Sequence, residues 1–273
     1  MKIMAPSSLN HPLLPIAMEA ARAAIAIVAN PPQNLFDEIH AKGAKDFATG
    51  VDLASEQIMR DIFAKKTPNI PLLGEEGGGA NLTDPIFWLA DPLDGTLNFA
   101  FGNPLHGMNL ALIENGEAVI GITLLPQLNE AYYAVKGQGA WKGTERIQMP
   151  NRAWADGALT HGSPFSLRQG ISPIFSDKVA MAAKGAMNAS NVSAASVSLA
   201  WVAKGIFALG LFKNNNAWDA QAGSLLIREA GGRVVDADGS EHTIFSKEMM
   251  CGSPRAIEEL MAAYAQADLL KFC

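Results

Sequence analysis

Two aspartates, Asp91 and Asp94, stand three residues apart around Pro92 in the stretch FWLADPLDGTLNF, residues 87–99. Like charges that close repel, so the pair is costly unless a cation lies between them. Pro92 biases Asp91 towards extended backbone and fixes its own φ. The turn can then bring both carboxylates and the Leu93 carbonyl towards one point. Hard oxygen donors of this kind suit Mg²⁺ or Mn²⁺. If a helix starts at Gly95 and Thr96, their backbone N–H groups face outward, ready for a phosphate oxygen. The same residues also read as a capped turn, because Asp-Pro and Asp-Gly are common turn pairs and Asp94 can serve as an N-cap.

Two further segments carry acids at comparable places. LLGEEGGG puts Glu75 and Glu76 after an apolar run, and AWDAQAG puts Asp219 beside Trp218 at the start of a helix rich in small residues. Alone, the first reads equally as a solvated loop and the second as a helix cap. Together with Asp91 and Asp94 they offer acids at three strand or helix ends, which is how a site for several metal ions is assembled. His106, in NPLHGMNL, and His161, in LTHGSPF, read first as packed or surface histidines.

The elements that must position these acids follow from hydrophobic periodicity. Leu13, Leu14, Ile16, Ala17, Ala20, Ala24, Ile25 and Val28 recur at helical spacing, and NPP at 30–32 closes that helix. DLASEQIMRDIFAKK predicts a second helix with Asp52 as a possible N-cap. IPLLG and IFWLAD predict buried strands leading to the acids. Asn115-Gly116 predicts a tight hairpin turn, since this pair takes positive φ readily. NEAYYAVKGQGAWKG predicts another strand pair, WDAQAGSLLIREAGG a helix stopped by Gly231-Gly232, and SPRAIEELMAAYAQADLL a last helix opened by Ser253 and Pro254. A polar stretch at 149–157 marks a seam between halves 1–150, with the GEE and DPLDGT acids, and 151–273, with Asp219 and the expected substrate pocket.

Composition narrows the function classes. The 273 residues are 49% hydrophobic with a formal net charge of −6, enough for a sizeable core. The absence of a basic stripe argues against a nucleic-acid partner. The first twenty residues lack the ordered regions of a signal peptide. Residues 193–212 are nearly long enough to span a bilayer, yet Lys204-Gly205 interrupts them; a buried helix followed by a buried strand fits better, and no membrane association is expected. Cys251 and Cys273 fit no metal spacing, which suggests reduced thiols in a cytoplasmic protein.

GEE, then WLADPLDGTLNF, then WDAQAG…EAGG resembles the inositol monophosphatase family of Mg²⁺-dependent, lithium-sensitive phosphatases. The similarity extends to HPLLPIAMEAARAA, to KGAKDFATGVDLASE at 42–56, to KGQGAWKG and to CGSPRAIEELMAA, so it runs over nearly the whole chain. The resemblance implies an α/β (α+β) fold, the layered α-β-α-β-α sandwich of sugar phosphatases, with the active site between the halves, and a homodimer. It implies a first metal on Glu75, Asp91 and the Leu93 carbonyl, a second on Asp91, Asp94 and Asp219, and a third, largely hydrated, near Glu75. These would be two or three Mg²⁺ ions, with Mn²⁺ as a substitute. Gly95 and Thr96 would bind phosphate through their N–H groups, and Asp52 would hydrogen-bond the Thr96 hydroxyl. Glu75, backed by Thr96 and Asp52, would orient a water for attack on a small phosphorylated metabolite.

Substrate choice is where the chain departs from the pattern. Inositol-specific members carry a sugar-binding glutamate shortly before the tryptophan-aspartate pair. Counting back from Asp219 puts Phe212 there, and aligning FALGL puts Ala208 there with KNNN inserted; neither is an acid. NVSAASVSLA resembles the family's glycine-serine-alanine-alanine stretch with Val192 in the glycine's place, leaving Ser193 and Ala194 as substrate neighbours. Histidinol phosphate, fructose 1,6-bisphosphate, a nucleotide 3′-phosphate and NADP(H) are alternative substrates used by related enzymes. A non-catalytic binding or regulatory protein that kept the fold is the alternative from another class.

Overall fold

The computed structural model describes residues 3–36, 38–43, 46–162, 165–166 and 170–270. The strand Ile86–Asp94 sets its frame. Phe87 and Leu89 point into one apolar cluster and Trp88 and Ala90 into another, so the strand needs cover on both faces. It lies inside an eight-stranded sheet whose order is Glu145–Ile147, Ala140–Lys142, Glu130–Val135, Glu117–Leu125, Gly107–Glu114, Ile86–Asp94, Leu72–Gly74 and Gly78–Gly79. Neighbours are antiparallel except Leu72–Gly74, which runs parallel to Ile86–Asp94. The expected hairpin turns at Asn115 (φ 51°) and Gly116 (φ 82°).

Helices Leu14–Ala29 and Gly50–Lys66 bury their apolar stripes on one face of this sheet. Helices Ala195–Ala203 and Ala217–Glu229 fill the space between its other face and a five-stranded sheet. That second sheet has the order Asn188–Ser190, Ala158–His161, Phe207–Lys213, Glu248–Gly252 and Arg233–Val235. Leu159, Leu209, Leu211 and Met250 on its far side pack on helices Pro173–Gly185 and Pro254–Gln266. The order of layers is α-β-α-β-α, as the resemblance implies.

Local details follow from sequence with one correction. Residues 193–212 form the buried helix Ala195–Ala203 and strand Phe207–Lys213, parted by Gly205 at φ 77°. Among the described residues no helix is long and apolar enough to cross a membrane. Ser253 caps the last helix by accepting from the Ala256 N–H at 3.4 Å, with Pro254 in the first turn. Asp52, however, is not the N-cap of its helix. Thr49 is: its hydroxyl accepts from the Val51 N–H at 3.2 Å while Asp52 Oδ2 accepts from the Thr49 N–H at 2.8 Å. This reciprocal capping box needs its acid at the third helical position. Cys251 is buried, and burial pushes its thiol pKa up; Cys273 lies outside the described residues.

Candidate metal centre

The DPLD stretch is the irregular end of a strand. Pairing between Ile86–Asp94 and Gly107–Glu114 shifts register between Asp91 and Asp94, where Pro92 has no N–H to give the ladder. Residues three apart on a regular strand face opposite sides; the shift breaks that alternation and lets the two acids influence one another. Asp91 is buried at 2% exposure, and its Oδ1 accepts from the Leu93 N–H at 3.0 Å.

Glu75 follows Leu72–Gly74 directly, and its N–H donates to the Ala90 carbonyl at 3.3 Å. The parallel strand pair thus delivers Glu75 beside Asp91. Asp219 lies in the first turn of Ala217–Glu229, where its Oδ2 accepts from the Asn216 N–H at 2.9 Å. As with Asp52, Asp219 is the third-position acid of a capping box whose N-cap is another residue, here Asn216. One carboxylate oxygen each from Glu75, Asp91 and Asp219 lie within 4.8 Å of one another.

The electrostatics of this cluster would favour a cation. Burial raises the Asp91 pKa well above the ordinary carboxylate range, and the charges of Glu75, Asp94, Asp219 and Asp52 raise it further. A divalent ion would reverse that cost. The donors are all hard oxygens, a set that fits Mg²⁺ or Mn²⁺ rather than a soft thiophilic metal.

Asp94 does not join the 4.8 Å set. Its Oδ2 accepts from the Ser196 N–H at 2.6 Å and from the Ser196 hydroxyl. Burial raises the Asp94 pKa, and the two Ser196 bonds oppose that rise. Thr96 Oγ1 lies 3.1 Å from both Asp52 Oδ1 and the Leu93 carbonyl, so its one proton is shared between these acceptors. Asp52, Thr96 and the DPLD turn are thereby linked. Gly95 holds φ 84°, which disfavours a side chain, and a Cβ there would stand 3.0 Å from the Ala194 Cβ. Ala194 thus packs on the turn, with exposed Ser193 beside it.

The remaining candidates lie elsewhere or are occupied. His106 is buried against the edge of Phe99, and burial pushes its pKa down to about 4. His161 Nδ1 contacts the Gly162 carbonyl at 2.8 Å. Phe212 packs in the apolar core, and Ala208 is buried against Gly157. Two residues escaped the sequence reading, Ser196 and Glu56. Glu56 is 2% exposed and accepts from the N–H groups of Glu76 and Gly77, both at 2.8 Å. The only available signal was a charged residue at a core-facing helical position.

The five-layer α-β-α-β-α order is that of the sugar phosphatase fold. The inositol monophosphatase family model matches residues 9–269, and the chain belongs to that family. It is 35% identical over 256 residues to an inositol-1-monophosphatase of Caulobacter vibrioides, covering 90% of this chain and all of that one. It is 33% identical over 260 residues to Nus factor SuhB of Escherichia coli K12, covering 92% and 95%. Among solved structures, the extragenic suppressor protein suhB of Bartonella henselae superposes with TM-score 0.81 at 27% identity, over 92% of this chain and 96% of that one.

Proposed function

We propose that the protein is a Mg²⁺-dependent phosphatase acting on a small phosphate monoester. The observation that carries this reading is the convergence of Glu75, Asp91 and Asp219, from three separate elements, to within 4.8 Å. Glu75, Asp91 and Asp219, with Asp94 and the Leu93 carbonyl beside them, would hold two or three ions. Bound Mg²⁺ would neutralise phosphate oxygens and lower the pKa of a water held beside them.

The chain's own residues then orient the reactants. The Thr96 hydroxyl donates its hydrogen bond to Asp52 or to the Leu93 carbonyl, which leaves its oxygen lone pairs to accept from a water. Glu75 takes the second proton of that water as general base. The backbone N–H groups of Gly95 and Thr96 hold the phosphate, and Ser193 and Ala194 border the substrate. The transition state is loose, so positioning and charge stabilisation carry most of the rate.

Neither Phe212 nor Ala208 supplies the carboxylate that inositol-specific relatives use for the sugar hydroxyls, which favours a substrate other than an inositol phosphate. Histidinol phosphate, fructose 1,6-bisphosphate, nucleotide 3′-phosphates and NADP(H) are the alternatives to assay. The exposed apolar side chains of Leu97 (52%) and Phe101 (81%) support assembly as a homodimer. A second, non-catalytic reading draws on relatives named Nus factor SuhB. Net charge alone does not exclude nucleic-acid or protein partners. Phosphate release from a panel of monoesters, with and without Mg²⁺ and Li⁺, tests the proposal. Release that needs Mg²⁺ and falls with Li⁺ is expected; no release from any member with the metal bound would favour the second reading.

A further inference from the structure

We infer that Glu56, held by Arg60, is a positioning residue that fixes Glu75 for metal binding; this rests on the metal-centre reading above. Three consecutive backbone N–H groups around Glu75 are tied. Glu75 N–H donates to the Ala90 carbonyl at 3.3 Å, Glu76 N–H to Glu56 Oε2 at 2.8 Å and Gly77 N–H to Glu56 Oε1 at 2.8 Å. Arg60 completes the clamp: its Nε and Nη2 donate to Glu56 Oε1 at 2.9 and 2.5 Å, and Nη2 also donates to the Gly78 carbonyl at 2.7 Å.

This arrangement explains why the acids sit between glycines. A Cβ on Gly74 would stand 2.3 Å from Glu56 Cδ, and one on Gly77 would stand 2.9 Å from Glu56 Oε1. Neither atom is the free end of a mobile side chain, since Glu56 is 2% exposed and gripped from two sides. The loop therefore closes around a buried carboxylate that never reaches the metal cluster. With its own N–H on the strand and the next two on Glu56, the Glu75 backbone has little freedom, and its carboxylate starts near Asp91 and Asp219. Outer groups that orient metal ligands commonly tune affinity by about 10–100-fold.

The test is Mn²⁺ titration of the intact protein by calorimetry, with no substrate present. Glu56→Gln loses one anionic acceptor and should weaken Mn²⁺ binding about tenfold or more, with Glu56→Asp recovering part of the loss. Glu229→Gln is the control: Glu229 likewise accepts two backbone N–H groups, from Gly137 and Gly139, both at 2.7 Å, outside the acid cluster. It should lower the melting temperature and leave Mn²⁺ affinity unchanged. If Glu56→Gln does not fold, Arg60→Gln carries the comparison and should weaken binding in the same direction. Wild-type affinity retained in the folded Glu56 or Arg60 variant overturns the inference and leaves the metal centre standing. No Mn²⁺ binding by the wild type overturns the metal centre itself, and the inference with it.

Discussion

Ser196 donates both its backbone N–H, at 2.6 Å, and its hydroxyl to Oδ2 of Asp94, a residue 102 positions earlier in the chain. The contact joins the end of strand Ile86–Asp94 to the start of helix Ala195–Ala203, and so ties the large sheet to the middle layer. With Oδ2 engaged twice, Asp94 can offer Oδ1 to a neighbouring cation. Ser196→Ala removes the hydroxyl and keeps the N–H. Hydrogen bonds to charged groups contribute about 1.5–3 kcal/mol. The variant should therefore need about tenfold more Mg²⁺ for half-maximal phosphate release. Steady-state rates over a Mg²⁺ series read this directly, and an unchanged half-saturation point would remove Ser196 from the account.

Burial makes His106 a source of acid sensitivity. Its folded pKa is pushed down to about 4 from 6.5, so below pH 6.5 the unfolded chain takes up a proton that the folded one does not. The contribution is fully present above pH 6.5 and is lost as pH falls towards 4, on the order of 3 kcal/mol in all. Urea unfolding at pH 7 and pH 5 should show this fall, and His106→Gln should flatten it. His106 stays neutral near pH 7, so it adds no inflection to the activity profile there.

Lys178 and Glu248 form a buried pair, Nζ to Oε2 at 2.9 Å, with side chains 4% and 8% exposed. Lys178→Met leaves the carboxylate in the interior without this cation and should cost about 3–5 kcal/mol. Lys178→Met with Glu248→Leu should recover most of the loss. Chemical denaturation of the two single variants and the double variant gives the coupling. A single variant as stable as the wild type would contradict the pairing.

Much of this architecture was legible because local chemistry and tertiary packing agree. Asn115-Gly116 turns where an Asn-Gly pair turns best, and Leu14–Ala29 carries its own apolar stripe. The acids at 75, 91 and 219 were legible only together: each alone also reads as a loop, turn or cap residue, and it is their recurrence at three strand or helix ends that points to one cluster. Ser196 and Glu56 were not, since their partners lie 102 and about 20 residues away and only the fold reveals the contact. The Asp52 assignment failed for a local reason: an acid in the first turn serves the capping box as well as the cap itself, and Thr49 three residues earlier settles which.

The central claim is that Glu75, Asp91 and Asp219 make a divalent-cation site. Anomalous diffraction from crystals grown with Mn²⁺ addresses it most directly. The account predicts a strong peak bridged by carboxylate oxygens of all three residues, lost in Asp91→Asn. A map with Mn²⁺ elsewhere on the molecule and no peak among these three acids would contradict it.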